Sequence, residues 1–463
     1  MASESEKGIN LQLRKLPGVD LVLNHPQIKG YIKRLSQPVV VSIIREELNN
    51  CRDGILKGNP FSGKDALIEE IIGKIEDYAS LLLKKVINAT GIIIHTNLGR
   101  SPITEDILKE ISDISSGYSN LEYDLFSGKR GKRGTALRRL ISIATGCESA
   151  LVVNNNAAAL FLILAALAKG KEVVISRGEL VQIGGGFKIP EIMSASGALM
   201  REVGTTNRTS VDDYKNALTS ETSLILKVHR SNFVISGFTE EAGFSDLVSL
   251  GRQRNLPVVI DLGSGAILPP SVSGLDNEPT VHNALTSGAD LVCFSGDKLL
   301  GGCQGGIILG KVELIEKLNK NPLYRVVRPD KTTIGILEKL FLKYLKGEIR
   351  DIPIWHMIAE SKEDLLERTK KFIVGLELPK GVASITDSFA YAGGGSDPGG
   401  KINSVAVVFE MDNSAKLSCL LREGNPPVVG RIEEGKLYLD LRTVFPEQEG
   451  ILKLKIEEAF RKL

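Results

Sequence analysis

Apolar and polar positions change their period along the chain, and the changes divide it into three stretches. From about residue 8 to 85 the apolar positions recur at helical spacing, most clearly from Val39 to Leu48 and from Ala66 to Ile75. The loop from Gly54 to Gly63, rich in Gly, Asn and Pro, is expected to separate two helices. From 86 to 335 short β-rich runs alternate with helical runs. The expected strands are Ala150 to Asn154, Glu172 to Ser176, Leu224 to Val228, Pro257 to Asp261 and Leu291 to Phe294. They lack polar alternation, which is the pattern of strands buried on both faces. Repeated units of this kind predict an α/β fold, a mostly parallel sheet with helices on both sides. After about 335 come helices, then strands from Ser404 to Phe409 and Lys436 to Asp440, then an amphipathic helix. The expected domains are therefore 1–85, a helical module; 86–335, a large α/β domain; and 336–463, a smaller α+β domain.

Composition narrows the functional class. The 463 residues carry 58 basic and 56 acidic side chains, so the whole chain is no polycation, and a nucleic-acid contact must come from a local patch or module. Five cysteines (Cys51, Cys147, Cys293, Cys303, Cys419) include no CxxC pair, which points to a reducing compartment and away from a structural zinc site. The polar start, Met1 to Lys7, has no apolar core of a signal peptide. The apolar stretch from Ala157 to Ala168 is shorter than the roughly 20 residues that span a bilayer. A cytoplasmic protein with no membrane contact is expected.

The candidate chemistry lies at strand exits. In Asp290-Leu-Val-Cys-Phe-Ser-Gly-Asp-Lys298, a lysine leaves a buried strand and meets glycines at once. An amine held in a dry pocket loses ammonium stabilisation and becomes a nucleophile for carbonyl groups. Taken alone it reads as a solvated lysine at a strand end. Asn154-Asn155-Asn156-Ala157 carries another strand into a helix, whose N-terminus offers N–H groups and positive dipole to a phosphate; one asparagine alone would be a plain helix cap. Asp261 ends a third strand, where parallel sheets bind ligands, and a carboxylate there can keep a pyridine nitrogen protonated. Ser295 offers a hydroxyl to a cofactor phosphate. Asn-rich helix start, then Asp, then Ser-x-x-Lys is the order found in fold-type-I enzymes of pyridoxal 5'-phosphate (PLP). The five histidines are scattered with no HExxH, and there is no Walker lysine and no GxSxG. Arg100, Arg325 and Arg328 are candidates for an anion, the last two converging if their turn is helical. The basic loop 128–133, Gly-Lys-Arg-Gly-Lys-Arg, reads either as a phosphate-backbone contact or as a solvated turn.

Specific strings carry a resemblance over nearly the whole chain. They are Ile87-Asn-Ala-Thr-Gly-Ile-Ile-Ile-His-Thr-Asn-Leu-Gly-Arg-Ser-Pro102, Tyr118-Ser-Asn-Leu-Glu-Tyr-Asp124, Asn154-Asn-Asn-Ala-Ala-Ala159, Ser176-Arg-Gly-Glu-Leu-Val-Gln-Ile-Gly-Gly-Gly186, Glu202-Val-Gly-Thr-Thr-Asn207, Asp261-Leu-Gly-Ser-Gly265, Phe294-Ser-Gly-Asp-Lys298, Pro426-Pro-Val-Val-Gly-Arg431 and Asp440-Leu-Arg-Thr443. In these the chain resembles bacterial selenocysteine synthase, the L-seryl-tRNA(Sec) selenium transferase family. The resemblance implies a fold-type-I PLP-dependent transferase fold, aspartate aminotransferase-like, in which Lys298 carries PLP and Asp261 faces its ring nitrogen. It implies a selenophosphate pocket from Arg100, Arg325 and Arg328 with Asp297 beside them. It also implies a helical module that grips seryl-tRNA(Sec), and a homo-oligomer, a ring of dimers such as a decamer. Asn155, Asn156, Ala157 and Ser295 are the remaining candidate cofactor contacts, and the residue stacked on the PLP ring is open between Gln182 and His229. Cys303 stands where the family is expected to have proline.

The activity so implied converts seryl-tRNA(Sec) to selenocysteinyl-tRNA(Sec) by β-elimination and selenium addition. Two alternatives compete. One is a PLP-dependent lyase of the same superfamily acting on a small amino acid or sugar acid without tRNA. The other is a tRNA-binding protein on an inactive scaffold, which the joint presence of Asp261 and Lys298 disfavours.

Overall fold

The computed structural model describes residues 4–267, 275, 278–379, 381–393, 396 and 399–463, so the first three residues of the polar start lie outside the described residues. Two compact units divide at residue 85: 1–85 and 86–463. The first is a bundle of five helices, α1 (Glu4–Leu13), α2 (Val19–Leu23), α3 (Pro26–Leu35), α4 (Gln37–Leu56) and α5 (Lys64–Leu81). Proline in the first turn of α3 and of α4 starts each helix where a missing N–H costs nothing. Val40, Ile44, Leu67, Ile71 and Ile75, spaced at helical period, fill its core. Helix α4 runs to Leu56, beyond the expected break at Gly54, because Ile55 is buried and Lys57 N–H closes the last turn on Asp53 O.

The second unit is built on a seven-stranded sheet. In chain order its strands are β1 (Ser149–Val153), β2 (Glu172–Ser176), β3 (Leu199–Val203), β4 (Thr222–Val228), β5 (Val258–Gly263), β6 (Leu291–Ser295) and β7 (Gly306–Gly310). Their spatial order is β1-β7-β6-β5-β4-β2-β3. The expected mostly parallel α/β sheet is what forms. Strands β3, β2, β4, β5 and β6 pair in parallel, and β7 pairs antiparallel with both β6 and β1. β7 runs backwards because a tight ten-residue loop, 296–305, joins it to β6 with no crossover helix. Sequence periodicity had missed β3 and β7: β3 is a charged edge strand, and β7 is a short apolar run between glycines.

Both faces of the sheet are covered, as continuous apolar strands require. Val152, Val174, Ile225, Ile260, Val292 and Ile307 enter one core, and Leu151, Val173, Leu224, Val259, Leu291 and Ile308 enter the other. Alternate residues thus face opposite sides. The consequence for function is that all polar chemistry is forced to the strand ends.

A second sheet follows, with strands β8 (Ala383–Ala390), β9 (Ile402–Phe409), β10 (Arg431–Glu433) and β11 (Lys436–Asp440) in the order β8-β9-β11-β10. Ile87 and Asn88 pair in parallel with Val428 and Val429, which ties the start of the unit to this end of the chain. Arg442, 1% exposed, closes the arrangement. Its guanidinium donates to the carbonyls of Met357, Glu360 and Asn403, each at 2.7 Å. The string Asp440-Leu-Arg-Thr443 is therefore structural: one buried cation satisfies carbonyls from separate segments. Replacing it leaves those carbonyls unpaired, so Arg442→Leu should lower unfolding stability by about 3 kcal/mol. Urea unfolding measures this, and an unchanged midpoint would contradict the role.

Candidate active site

The carboxyl ends of the parallel strands open on one cavity of about 430 Å³. Its walls come from the segment after β1 (Asn155, Asn156, Ala157), the end of β4 and its exit (Val228, His229, Ser231), the end of β5 (Asp261, Gly263) and the exit of β6 (Ser295, Asp297, Lys298). Thr96, Gly99 and Arg100 add a wall from the segment that precedes the sheet. This is the crevice where open α/β sheets bind ligands.

A slip in register aims the key carboxylate. Asp261 pairs with Cys293, but Phe294 pairs with Gly263, so Leu262 is an extra residue bulged out of β5. Gly263 takes up the bend at φ +71°, in the left-handed region. A side chain on Gly263 would come into contact with Ser231 Oγ and Lys298 Nζ, so its absence leaves that space open. Asp261 itself is buried. Its Oδ1 accepts from Asn156 Nδ2 at 2.8 Å and from Gly263 N–H at 3.1 Å, and its backbone oxygen accepts from His229 N–H at 2.8 Å. Burial pushes its carboxyl above the usual range, opposed by the Asn156 amide and by the charge of Lys298.

Lys298 is 3% exposed. The turn that carries it is pinned by Leu299 N–H on Ser264 O and by Gly301 N–H on Lys298 O, both 2.9 Å. Burial lowers its pKa below the ordinary lysine value, and the Arg100 guanidinium lowers it further; Asp261, Asp297 and Glu278 act the other way. Arg100 sits at φ +63°, a left-handed conformation unusual for a long side chain. Its guanidinium is held by Asp297 Oδ2 at 2.7 Å, and Ser101 N–H reaches Asp297 O at 3.2 Å. Backbone strain and ion pair together fix a cation beside the lysine.

Other expected site residues fall in different places. Asn155 caps the helix Asn156–Leu167, its Oδ1 accepting from Ala158 N–H at 2.8 Å, while still lining the cavity. His229 lines it too, with Nε2 3.5 Å from Glu278 Oε2. Gln182 is not among the lining residues; Gly184 is, and the Gln182 carbonyl accepts from Asn232 Nδ2 at 2.8 Å. Arg325 is exposed in the short helix Pro322–Val327, and neither it nor Arg328 lines the cavity of its own chain. Arg328 lies just past the helix in extended backbone, so helical spacing does not bring the two together. Arg328 instead joins Arg130 and Arg133 around Glu122, at 3.4, 2.9 and 2.9 Å. That cluster anchors the basic loop 128–133, which forms a hairpin in which Tyr123–Asp124 pairs with Lys129–Arg130. Cys303 is half-buried, and burial pushes its thiol up to about 12, which keeps it protonated near neutrality.

Thr96, Ser231 and Gln304 line the cavity without having been picked out from the sequence. Ser231 had a usable signal, since it follows a strand end within two residues of His229. Thr96 and Gln304 are brought in by loops and had none.

The geometry fits PLP. There is a buried amine, a buried carboxylate for a ring nitrogen, a helix N-terminus for a phosphate, and volume in the range of small-ligand sites. Two buried polar atoms of lining residues, Asn156 Oδ1 and His229 Nε2, have no protein hydrogen-bond partner. The family model described as SelA, L-seryl-tRNA selenium transferase, matches residues 86–445, and one described as selenocysteine synthase N terminal matches residues 13–52. The chain belongs to the L-seryl-tRNA selenium transferase family. It is 41% identical to the L-seryl-tRNA(Sec) selenium transferase of Carboxydothermus hydrogenoformans, over 96% of this chain and 97% of that protein. The same-named proteins of Alkaliphilus oremlandii and Aquifex aeolicus are 43% and 42% identical, each over 96% of this chain and 98% of theirs. Among solved structures, D-glucosaminate-6-phosphate ammonia-lyase shares the fold, with TM-score 0.59 and 20% identity over 83% of this chain and 98% of that one. The chain is thus a PLP-dependent enzyme of fold type I, and its reaction is the family's, conversion of seryl-tRNA(Sec) to selenocysteinyl-tRNA(Sec).

The lowered pKa of Lys298 sets a pH dependence. A lysine whose folded pKa is below its free value is half free base at a lower pH than an ordinary lysine. In cofactor-free protein, capture of an aldehyde by Lys298, trapped with borohydride, should reach half its maximum at a lower pH than for an ordinary lysine. Arg100→Gln removes a like charge and should move that midpoint upward. A wild-type midpoint at the ordinary lysine value would refute the desolvated site.

Proposed function

We propose that Lys298 is the cofactor lysine and the general base, that Asp261 holds the ring nitrogen, and that selenophosphate is the selenium donor. The observation that carries this reading is the burial of Lys298 in one cavity with Asp261 and the Arg100–Asp297 pair. PLP, when bound, supplies an electron sink for negative charge that develops at the seryl α-carbon. Burial and the Arg100 charge favour the neutral amine at Lys298 Nζ, which is the form that accepts the α-proton. Asp261, unable to reach solvent, keeps a positive charge on the ring nitrogen opposite. The N-terminus of the helix Asn156–Leu167, with Ala157 allowing close approach, receives the cofactor phosphate, and Ser295 adds its hydroxyl. His229 lines the wall and is favoured over Gln182 as the residue stacked on the ring, because Gln182 lies outside the cavity lining. Asp297 orients Arg100, whose fork suits a phosphate oxygen pair of the donor. The seryl hydroxyl leaves as water and selenium adds at the same carbon, the donor's selenium–phosphorus bond being hydrolysed with release of phosphate, within a site lined by fixed charges.

Arg325 and Arg328 belong to the same donor site, supplied by a neighbouring subunit. In a dimer-based ring, such as a decamer, subunits complete one another's sites in this way. The helical unit 1–85 grips the tRNA, and the large and small domains of the remainder meet near residue 335. A cytoplasmic location fits a charged-tRNA substrate. Among the described residues no helix is long and apolar enough to cross a membrane.

The decisive assay supplies purified protein with seryl-tRNA(Sec) and selenophosphate and looks for selenocysteinyl-tRNA(Sec). Lys298→Ala should abolish product, and retained turnover would end the assignment. Deleting residues 1–85 should abolish tRNA binding while cofactor absorbance survives; unchanged tRNA affinity would refute the grip. Mixed oligomers of Lys298→Ala and Arg325→Ala chains should regain part of the activity that each lacks alone. If mixing restores nothing while both chains co-assemble, the arginine does not act across subunits.

A further inference from the structure

We propose that Asn156 is a positioning residue: it fixes the Asp261 carboxylate and thereby keeps the proton on the cofactor's ring nitrogen. This rests on the assignment of Asp261 to that nitrogen, made above. Asn156 starts a helix, yet its side chain does not serve the helix. The cap is Asn155, and the hydrogen bond that Asn156 makes through its side chain crosses to Asp261 Oδ1 at 2.8 Å. Its own Oδ1 is buried with no hydrogen-bond partner in the protein. A buried amide with an unsatisfied oxygen is costly and calls for an explanation in what its nitrogen does.

Here the nitrogen meets a carboxylate that burial disfavours as an anion. Gly263 N–H converges on the same oxygen at 3.1 Å. Every one of these partners donates. A carboxylate surrounded by donors is favoured ionised, and two donors on Oδ1 fix its rotation and hence the direction of Oδ2. Among the donors Asn156 opposes burial most strongly. Between Asp261 and a ring nitrogen there is one proton to share. Removing the Asn156 donor makes the carboxylate more basic, so the proton passes from the nitrogen to the carboxylate, and the ring becomes a poorer electron sink.

Asn156→Leu keeps the side chain's size and removes the donor. With PLP labelled with ¹⁵N at the ring nitrogen, the wild-type signal should be that of a protonated nitrogen. In Asn156→Leu the cofactor should stay bound through Lys298, while the signal moves toward the unprotonated range. Turnover number should fall about 10- to 100-fold with KM for seryl-tRNA unchanged, the scale of a lost hydrogen bond to a buried charge. A wild-type ¹⁵N signal with wild-type turnover in Asn156→Leu would overturn the proposal. Should that variant fail to fold, Asn156→Ser, which also cannot span the distance, is read in the same way. Asp261→Asn separates the two assignments. If its ring nitrogen stays protonated, the Asp261 assignment falls, and this one with it; if the proton is lost there but kept in Asn156→Leu, only the role of Asn156 falls.

Discussion

Two opposite charges buried in one cavity, on the ends of neighbouring strands, set the terms for the rest of this structure. Lys298 and Asp261 are each almost wholly removed from water, and neither would be stable in its charged form without help. The help is local. Donors from Asn156 and Gly263 stabilise the carboxylate, and the lysine shifts toward its neutral form. The sheet brings them together because β5 and β6 are adjacent and parallel, so their carboxyl ends open on the same edge.

The cost of such a site is met by the elements around it. A bulge at Leu262, a left-handed glycine at 263 and a left-handed arginine at 100 are local departures from regular backbone, and the last two line the cavity. The surrounding sheet is buried on both faces and gives these departures a rigid frame. Arg100 shows how strain and charge act together. Its backbone conformation is unfavourable, but it places a guanidinium against Asp297 and close enough to Lys298 to weigh on its charge. The buried Arg442 does analogous work at the second sheet, where one cation satisfies three carbonyls from two segments.

Much of the site was legible because the chemistry sits at strand exits, and buried parallel strands announce themselves as unbroken apolar runs. Asp261, Ser295 and Lys298 each follow such a run directly, so their common location could be inferred from topology. Asn155 and Asn156 were legible as a helix start but not as individuals: the same backbone turn makes one a cap and sends the other across to Asp261. Convergence of Arg325 and Arg328 was not legible for a related reason. A spacing of three means convergence only within a helix, and this helix ends between them.

By itself the sequence determined the alternation of buried strands and amphipathic helices, and with it the α/β class and the edge of the sheet on which a ligand must bind. It did so because periodicity and burial are local properties, written within a few residues. Which side chains meet across that edge was decided by the tertiary structure alone. The Asn156–Asp261 contact spans 105 residues and the Arg100–Asp297 pair spans 197. Such contacts depend on strand order, on a one-residue bulge and on backbone angles at Arg100 and Gly263, and a one-residue change in register would turn Asp261 to the other face.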